Sequence, residues 1–354
     1  MGIEIIKDSR GREHMVFEEE KFIDDSLMGD KTEDFETQLP VLIKNGVTEL
    51  TIVDENLSKN KKRILKIINL LAQKAPDLFV SILVDASVID REVAAAATQI
   101  FISFDIPLVC QTKGGKILFD KKFYANKARV LNDFGLVFGF QLTYGIVAGD
   151  TLKAFTDRLD FAIQQYPNHL DFPQTEKDAE GFEPQVTGIF SAKDIRYCRD
   201  MAFAARTFYS SGRAVPWFLS VLKPLKIYPS KFFADFAEWQ RCNNCDFKSG
   251  YLPEGEKHQS IEKMQLLFLN MKCEEKNCTE LEVAVGDIIK INGAMSRLVG
   301  ESEESVIETS YHPEDLLSPE ACDLAAFVEN VYMEPCKVRI FLDDEGPNFE
   351  LQNS

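Results

Sequence analysis

Two cysteine pairs have the spacing of a metal site. Two residues separate Cys242 from Cys245, and four separate Cys273 from Cys278. Four thiolates converging in a tetrahedron bind zinc, and His258 lies between the pairs as a replacement donor. Both pairs begin where a predicted helix ends, so the same thiols are also interpretable as small apolar side chains of a helical core. We favour the second interpretation and keep zinc as the alternative.

Polar residues follow a predicted strand at residues 47–53, where Asp54, Glu55 and Asn56 come directly after the β-branched run. The carboxyl ends of parallel strands are where β/α folds place ligand-binding residues. The alternative is a solvated loop that caps the next helix. His169 stands at the start of another predicted strand, and we interpret it as a core or capping residue. No Ser-His-Asp, Walker or dinucleotide-loop pattern is found.

Predicted strands and helices alternate along the first half of the chain, and these elements must position the polar residues. Strands are predicted at residues 47–53, 78–84, 99–104, 136–142 and 169–172. Helical patterns are predicted between them at residues 61–71, 85–97, 121–133 and 152–166. This alternation predicts a parallel sheet, either closed as a barrel or open and doubly wound. Further helices are predicted at residues 194–209, 230–239 and 260–272, and a last strand at residues 337–342.

Composition narrows the class of protein. The 354 residues carry a net charge of -17, and residues 301–354 hold 14 acidic side chains against two basic ones, a net of -12. Such an acidic end disfavours binding to nucleic acid. No apolar run is long enough for a membrane span, and the first residues lack a secretion signal. Eight dispersed cysteines are typical of reduced thiols. We therefore expect a cytoplasmic protein with no nucleic-acid or membrane partner.

Three stretches carry a resemblance to a known family. They are residues 144–151 (YGIVAGDT) with 159–162 (LDFA) and 166–170 (YPNHL), residues 45–54 with 61–63 (KKR), and Gln111 with 120–123 (DKKF). In this order the chain resembles the barrel of radical S-adenosylmethionine enzymes, especially those associated with a cobalamin-binding domain. The resemblance covers residues 41–175, and residues 229–297 resemble the helical extension of one subgroup.

The resemblance implies a site for S-adenosylmethionine. It places Asp54 and Glu55 near the amino group of that ligand, Gln111 at a strand end, and Gly145 and Gly149 on the adenine side. The family's Cys-x3-Cys-x2-Cys loop, which holds a [4Fe–4S] cluster, is missing. It is expected within residues 14–37, yet the first cysteine of the chain is Cys110.

The sequence therefore predicts an α/β fold: a partial or complete parallel β/α (TIM-like) barrel, a helical C-terminal extension and a small acidic terminal segment. The predicted boundaries are 1–40 for a segment replacing the cluster loop, 41–227 for the barrel, 228–300 for the extension and 301–354 for the acidic segment. We expect a non-catalytic binding or regulatory subunit without a cofactor, whose small-molecule or protein partner is not identified.

Two alternatives remain open. One is an enzyme doing non-radical chemistry at the barrel mouth, with residual S-adenosylmethionine binding. The other is a zinc-stabilised interaction protein. The geometry of a parallel sheet also predicts that Asp54, Glu55 and Gly149 lie together at one mouth of the sheet, because right-handed crossovers bring the carboxyl ends of all its strands to the same face.

Overall fold

A computed structural model describes residues 2–7, 13–18, 32–53, 55–114, 116–175, 183–243, 251–343 and 346–352. The chain divides into two compact units: residues 1–154 with 161–185, and residues 155–160 with 186–354. The predicted boundaries at residues 40, 227 and 300 stay predictions. None of the helices in the described ranges combines the length and hydropathy that a bilayer span requires.

The first unit is built on a seven-stranded sheet. Its strands are β1 (Gly2–Lys7), β2 (Glu13–Glu18), β3 (Glu49–Val53), β4 (Phe79–Leu83), β5 (Ile102–Pro107), β8 (Val137–Gln141) and β9 (His169–Asp171). They are hydrogen-bonded in this same order. β1 runs antiparallel to β2, and every later neighbouring pair is parallel. A two-stranded hairpin of β6 (Gln111–Lys113) and β7 (Lys116–Leu118) follows β5.

Helices connect the parallel strands. They are α1 (Thr32–Lys44), α2 (Glu55–Ser58), α3 (Lys61–Lys74), α4 (Arg91–Ala97), α5 (Lys121–Asp133) and α6 (Leu152–Ile163). Side-chain carboxylates or amides start three of them, since Asn60, Asp90 and Asp120 each accept a hydrogen bond from a backbone amide in the first turn. The alternating pattern predicted from sequence is thus confirmed as a mixed α/β fold with a parallel sheet.

The sheet does not close on itself within the described residues, because β1 and β9 form its two edges. The predicted TIM-like closure is therefore not confirmed. The strand order also lacks the reversal that marks a doubly wound sheet. Each strand steps one place further in the same direction, as in singly wound β/α folds.

The strands have one apolar and one polar face. The apolar face is buried and consists of Leu50, Ile52, Val80, Ile82, Ile102, Phe104, Ile106, Phe138, Phe140 and Leu170. Strands of a parallel sheet that is covered on both faces are nearly continuously apolar. The alternation instead leaves a second, mainly polar face, called the polar face below. It carries Glu49, Thr51, Ser81, Ser103, Asp105, Gly139, Gln141, His169 and Asp171, together with the apolar residues Phe79, Leu83, Pro107 and Val137.

The second unit is mainly helical. Its helices are α7 (Ala192–Ala205), α8 (Phe218–Leu225), α9 (Pro229–Asn243), α10 (His258–Lys276), α11 (Glu282–Glu301), α12 (Pro313–Leu316) and α13 (Leu324–Asn330). An antiparallel sheet of β10 (Ser305–Thr309), β11 (Cys336–Asp343) and β12 (Gly346–Leu351) completes it. Only the middle strand of this sheet was predicted.

Aromatic packing forms the core of the second unit. A π-helical turn (Arg206–Ser211) continues α7 and places Phe208 within 4.8–6.3 Å, ring centre to ring centre, of five other aromatic rings. Those rings belong to Trp217, Phe218, Phe232, Phe236 and Phe268. Interlocked aromatic side chains of this kind bury large apolar areas and fix the helices against one another.

Candidate functional site

The residues predicted at one mouth of the sheet follow strands that run parallel. Glu55 begins α2 directly after β3, and Gly145 and Gly149 lie in the loop after β8. Both strands end at the same edge of the sheet, since β3 to β8 are parallel throughout. Asp54 lies outside the described residues, so its predicted approach to Gly149 stays a prediction.

Hydrogen bonds hold the loop after β8 in one conformation. The Gly145 amide donates to Asp150 Oδ2 at 2.8 Å. The Gln174 side chain clamps Tyr144, accepting from its amide at 2.9 Å and donating to its carbonyl at 2.5 Å. Gly145 and Gly149 have φ values of +68° and +88°, which favour glycine. These two glycines are therefore explained by the loop's backbone, whatever it binds.

Gln111 lies in the hairpin that follows β5 and is exposed to solvent. Its neighbour Thr112 donates a hydrogen bond from Oγ1 to the carbonyl of Ala148 at 2.7 Å. This contact brings the Gln111 hairpin against the loop that contains Gly149. Both of these predicted residues therefore belong to the same edge of the first unit.

The predicted zinc ligands differ in their surroundings. Cys242 is exposed near the end of α9, whereas Cys273 is fully buried in α10. Burial raises the pKa of Cys273 to about 12, which opposes the thiolate form that zinc requires. Cys278 Sγ lies 3.6 Å from the Cys273 carbonyl oxygen. Cys245 lies outside the described residues, so the four-cysteine site stays a prediction.

A cluster that sequence analysis did not assemble lies on the polar face. Asp105 of β5 and the β9 residues His169 and Asp171 bring one ligand atom each to within 4.8 Å of the others. His169 Nε2 is 2.7 Å from Asp105 Oδ1 and 3.3 Å from Asp171 Oδ2. Ser81 of β4 donates from Oγ to the other Asp105 oxygen at 2.5 Å. We call Asp105, His169 and Asp171 the Asp-His-Asp cluster.

Gly139 makes this arrangement sterically feasible. It lies on β8 in register with Asp105 on one side and His169 on the other. A Cβ at Gly139 would lie 2.0 Å from His169 Nε2 and 2.2 Å from Cδ2. The imidazole therefore crosses β8 over a position where only glycine leaves room for it, and in this way it reaches Asp105 two strands away.

The electrostatics of the cluster are dominated by its carboxylates. Burial by itself lowers the pKa of His169, but the charge of Asp171 and the hydrogen bonds to Asp105 and Asp171 outweigh it and raise the pKa to about 10. The side chains of His169, Asp105 and Asp171 are 26%, 20% and 41% exposed, so the cluster is accessible from solvent. Two carboxylates surround one imidazolium here, and the excess negative charge of this partly exposed cluster favours a positively charged group.

Sequence analysis singled out only His169 of this cluster, and as a core or capping residue. Asp105 and Asp171 were missed because nothing local indicates which face of a strand they occupy. One signal was available: Gly139 interrupts the apolar run Phe138–Phe140, and an isolated glycine in a strand often marks a close approach.

Comparison with known proteins finds no family match and only a weak structural similarity. No protein-family model and no curated protein matches the chain. Among solved structures, it is similar to the radical S-adenosylmethionine methyltransferase TsrM from Kitasatospora setae, solved with tryptophan and an S-adenosylmethionine analogue bound. The identity is 14% and the TM-score 0.33, covering 40% of this chain and 30% of that one. A match at this level establishes neither a shared fold nor a shared activity.

Proposed function

We propose that the chain is a degenerate radical S-adenosylmethionine-like protein that binds a small ligand on the polar face and does no cluster-based radical chemistry. It acts in this proposal as a binding or regulatory subunit. The observation that carries it is the polar face itself. The parallel sheet carries the partly exposed Asp-His-Asp cluster there, beside Gly139. Hydrogen bonds hold the loops that follow the carboxyl ends of the strands.

The topology supports a partial barrel as the setting of that face. Strands β2 to β9 are added in sequence order. With right-handed crossovers, such an order puts all connecting helices on one side of the sheet. Helices on that side can bury their apolar stripes against the apolar face of the sheet. The buried stripe of α3 is an example and consists of Ile64, Ile67, Ile68 and Leu71. The polar face then corresponds to the interior of a barrel that stays open.

The residues present do not fit a [4Fe–4S] cluster. Residues 14–37, where the resemblance leads us to expect the cluster loop, contain no cysteine. Their acidic side chains at Glu18, Glu19 and Glu20 are hard oxygen donors, and clusters of this type are held by thiolates. Radical cleavage of S-adenosylmethionine is therefore not part of the proposed function.

Anaerobic reconstitution tests this part of the proposal. The full chain is incubated with iron and sulfide and then desalted. It is examined for the broad visible absorbance of a [4Fe–4S] cluster. We expect the protein to stay colourless. The Cys242→Ser variant is the matched control, because Cys242 and Cys322 are exposed cysteines at which iron could collect adventitiously, and the substitution removes one of them. Stoichiometric absorbance that survives desalting in both proteins would refute the proposal.

An enzyme doing non-radical chemistry is the second candidate. The observation in its favour is a histidine held between two carboxylates at a solvent-accessible face. Equilibrium dialysis with S-adenosylmethionine in EDTA separates the two functions. A binding protein returns the molecule unchanged, while an enzyme consumes it and loses that turnover in His169→Gln with binding retained.

A further inference from the structure

We propose that Asp105, His169 and Asp171 bind one divalent first-row transition-metal cation on the polar face. The proposal deepens the proposed function, since it names the chemical class of a ligand for the same face. It rests on that function only in requiring the polar face to be accessible. The separations of the donor atoms, their chemical types and the surroundings of the cluster support this assignment.

The separations of the donor atoms suit a cation. Ligands bound about 2.1 Å from a tetrahedral metal lie roughly 3.4 Å from one another. His169 Nε2 and Asp171 Oδ2 are already 3.3 Å apart. Nε2 and Asp105 Oδ1 are 2.7 Å apart. To bind the same metal, Asp105 Oδ1 would have to move away from Nε2 by less than the length of a covalent bond. Both aspartates are partly exposed and can move by that amount.

The donor set selects the class of metal. Two carboxylate oxygens and one imidazole nitrogen suit Mn²⁺, Fe²⁺ and Zn²⁺. Mg²⁺ and Ca²⁺ prefer all-oxygen sites, and Cu⁺ prefers sulfur donors. Three protein ligands at a solvent-accessible face also leave coordination positions for water or a bound molecule, as in open metal sites.

The surroundings of the cluster point to the same ligand. Strands β3, β4, β5, β8 and β9 contain no lysine or arginine, while Glu49 adds a third carboxylate to the polar face. No lysine or arginine of these strands therefore adds to the single positive charge of protonated His169, and a metal cation would take the place of that proton. The Ser103 hydroxyl, two residues before Asp105 on the same face, is buried and makes no hydrogen bond.

Gly139 supplies an observation independent of the charges. Its missing side chain gives the imidazole the space to reach from β9 to β5. A strand interior without a side chain is destabilised by about 0.5–1 kcal/mol relative to alanine, so a packing requirement must favour glycine here. The requirement that the structure shows is the placement of His169 Nε2 between the two carboxylates.

Manganese is the probe that tests the proposal, because thiolates bind it poorly and the cysteine pairs then do not contribute. The full chain is freed of metal with a chelator and titrated with Mn²⁺, and free Mn²⁺ is followed by electron paramagnetic resonance. We expect one saturable equivalent in the natural chain. Asp171→Asn and Gly139→Ala should each weaken binding at least tenfold.

The control is His312→Gln, which changes a histidine remote in sequence that caps α12 and should leave binding unchanged. If circular dichroism shows that Gly139→Ala does not fold, Asp171→Asn tests the proposal by itself. The Asp171 side chain is 41% exposed, so this variant should fold. No saturable Mn²⁺ binding below millimolar concentration, or equal affinity in the natural chain and the Asp171 variant, would overturn the proposal. Either result leaves the reconstitution and dialysis tests of the proposed function standing, because dialysis is done in EDTA.

Discussion

Each unit has a polar cluster centred on a histidine, and the two clusters shift the histidine pKa in opposite directions. In the first unit the carboxylates of Asp171 and Asp105 overcome burial and raise the pKa of His169 to about 10. In the second unit burial, assisted by the charges of Arg213 and Arg297, lowers the pKa of His258 to about 4. The same side chain is thus stabilised as a cation in one place and as a neutral ring in the other.

The cluster of the second unit is internally paired. His258 is 2% exposed and lies between the Gly212 carbonyl and Arg297, each at 3.2 Å from a ring nitrogen. These partners assign the neutral tautomer with hydrogen on Nε2. Arg297 Nη1 also donates to Glu262 at 2.5 Å. Both ring nitrogens of His258 and the Nη1 atom of Arg297 are thus paired, although Arg297 Nε makes no hydrogen bond. The pairs link α10 with α11, so this cluster is suited to holding the two helices together.

The cluster of the first unit is unbalanced and accessible. Its carboxylates outnumber its one cation, its side chains are partly exposed, and a glycine rather than a packed side chain lies beneath the imidazole. A buried histidine network whose ring nitrogens are both paired stabilises a fold, whereas a partly exposed network with excess negative charge is suited to binding.

The largest effect is expected for Arg297→Met in the second unit. Removing the guanidinium leaves Glu262 buried without its partner, and such changes cost about 3–5 kcal/mol in the free energy of unfolding. Urea denaturation measures the loss. The control is Arg339→Met, whose partners Glu304 and Glu350 lie at the surface, and it should change little. Equal effects of the two variants would contradict the structural role of the His258 cluster.

Acidic pH should weaken the second unit through His258. The unfolded chain binds a proton near pH 6.5 and the folded chain only near pH 4, so the stability is fully present above pH 6.5 and falls between these values. The full shift corresponds to about 3 kcal/mol. Urea midpoints at pH 7, 6, 5 and 4.5 measure the slope. The slope should be shallower in His258→Gln; an identical slope would show that His258 is not the group responsible.

A smaller effect is expected for Gly139→Ala in the first unit. The new Cβ displaces the imidazole from Asp105, and overpacking of this kind costs about 1–3 kcal/mol. Thermal or urea unfolding measures it. Gly188→Ala is the matched control, because a Cβ there meets no atom within 4 Å. If both variants are as stable as the natural chain, the close contact between His169 and β8 is not present in solution.

The smallest loss of stability is expected for Asp171→Asn. Its carboxylate is 41% exposed, and such partly solvated ion pairs contribute about 1 kcal/mol or less. The unfolding midpoint should therefore hardly move, although the same substitution is expected to weaken Mn²⁺ binding. A loss as large as that of Arg297→Met would mean that the Asp-His-Asp cluster is structural and would remove the distinction between the units.

Local patterns in the sequence predicted the elements better than the site. The amphipathic stripe of α3 and the β-branched run of β3 follow from spacing alone. Gly145 and Gly149 were singled out only through the resemblance, and their predicted role in binding stays a prediction. Asp105 and His169 are 64 residues apart, and their meeting depends on β8 lying between β5 and β9 in one register. A slip of one residue would move Asp105 to the apolar face. No local pattern contains that information.

The ring nitrogens of the histidines offer the most direct test of the account. The full chain, labelled with ¹⁵N in histidine, is titrated with Zn²⁺ and its imidazole ¹⁵N shifts are followed by NMR, with His169→Gln assigning the signals. We expect the Nε2 signal of His169 to shift and to saturate as one site fills, while the signals of His258 stay those of a neutral ring throughout. Unchanged His169 shifts at saturating zinc would contradict the claim that the polar face of the first unit is the binding face.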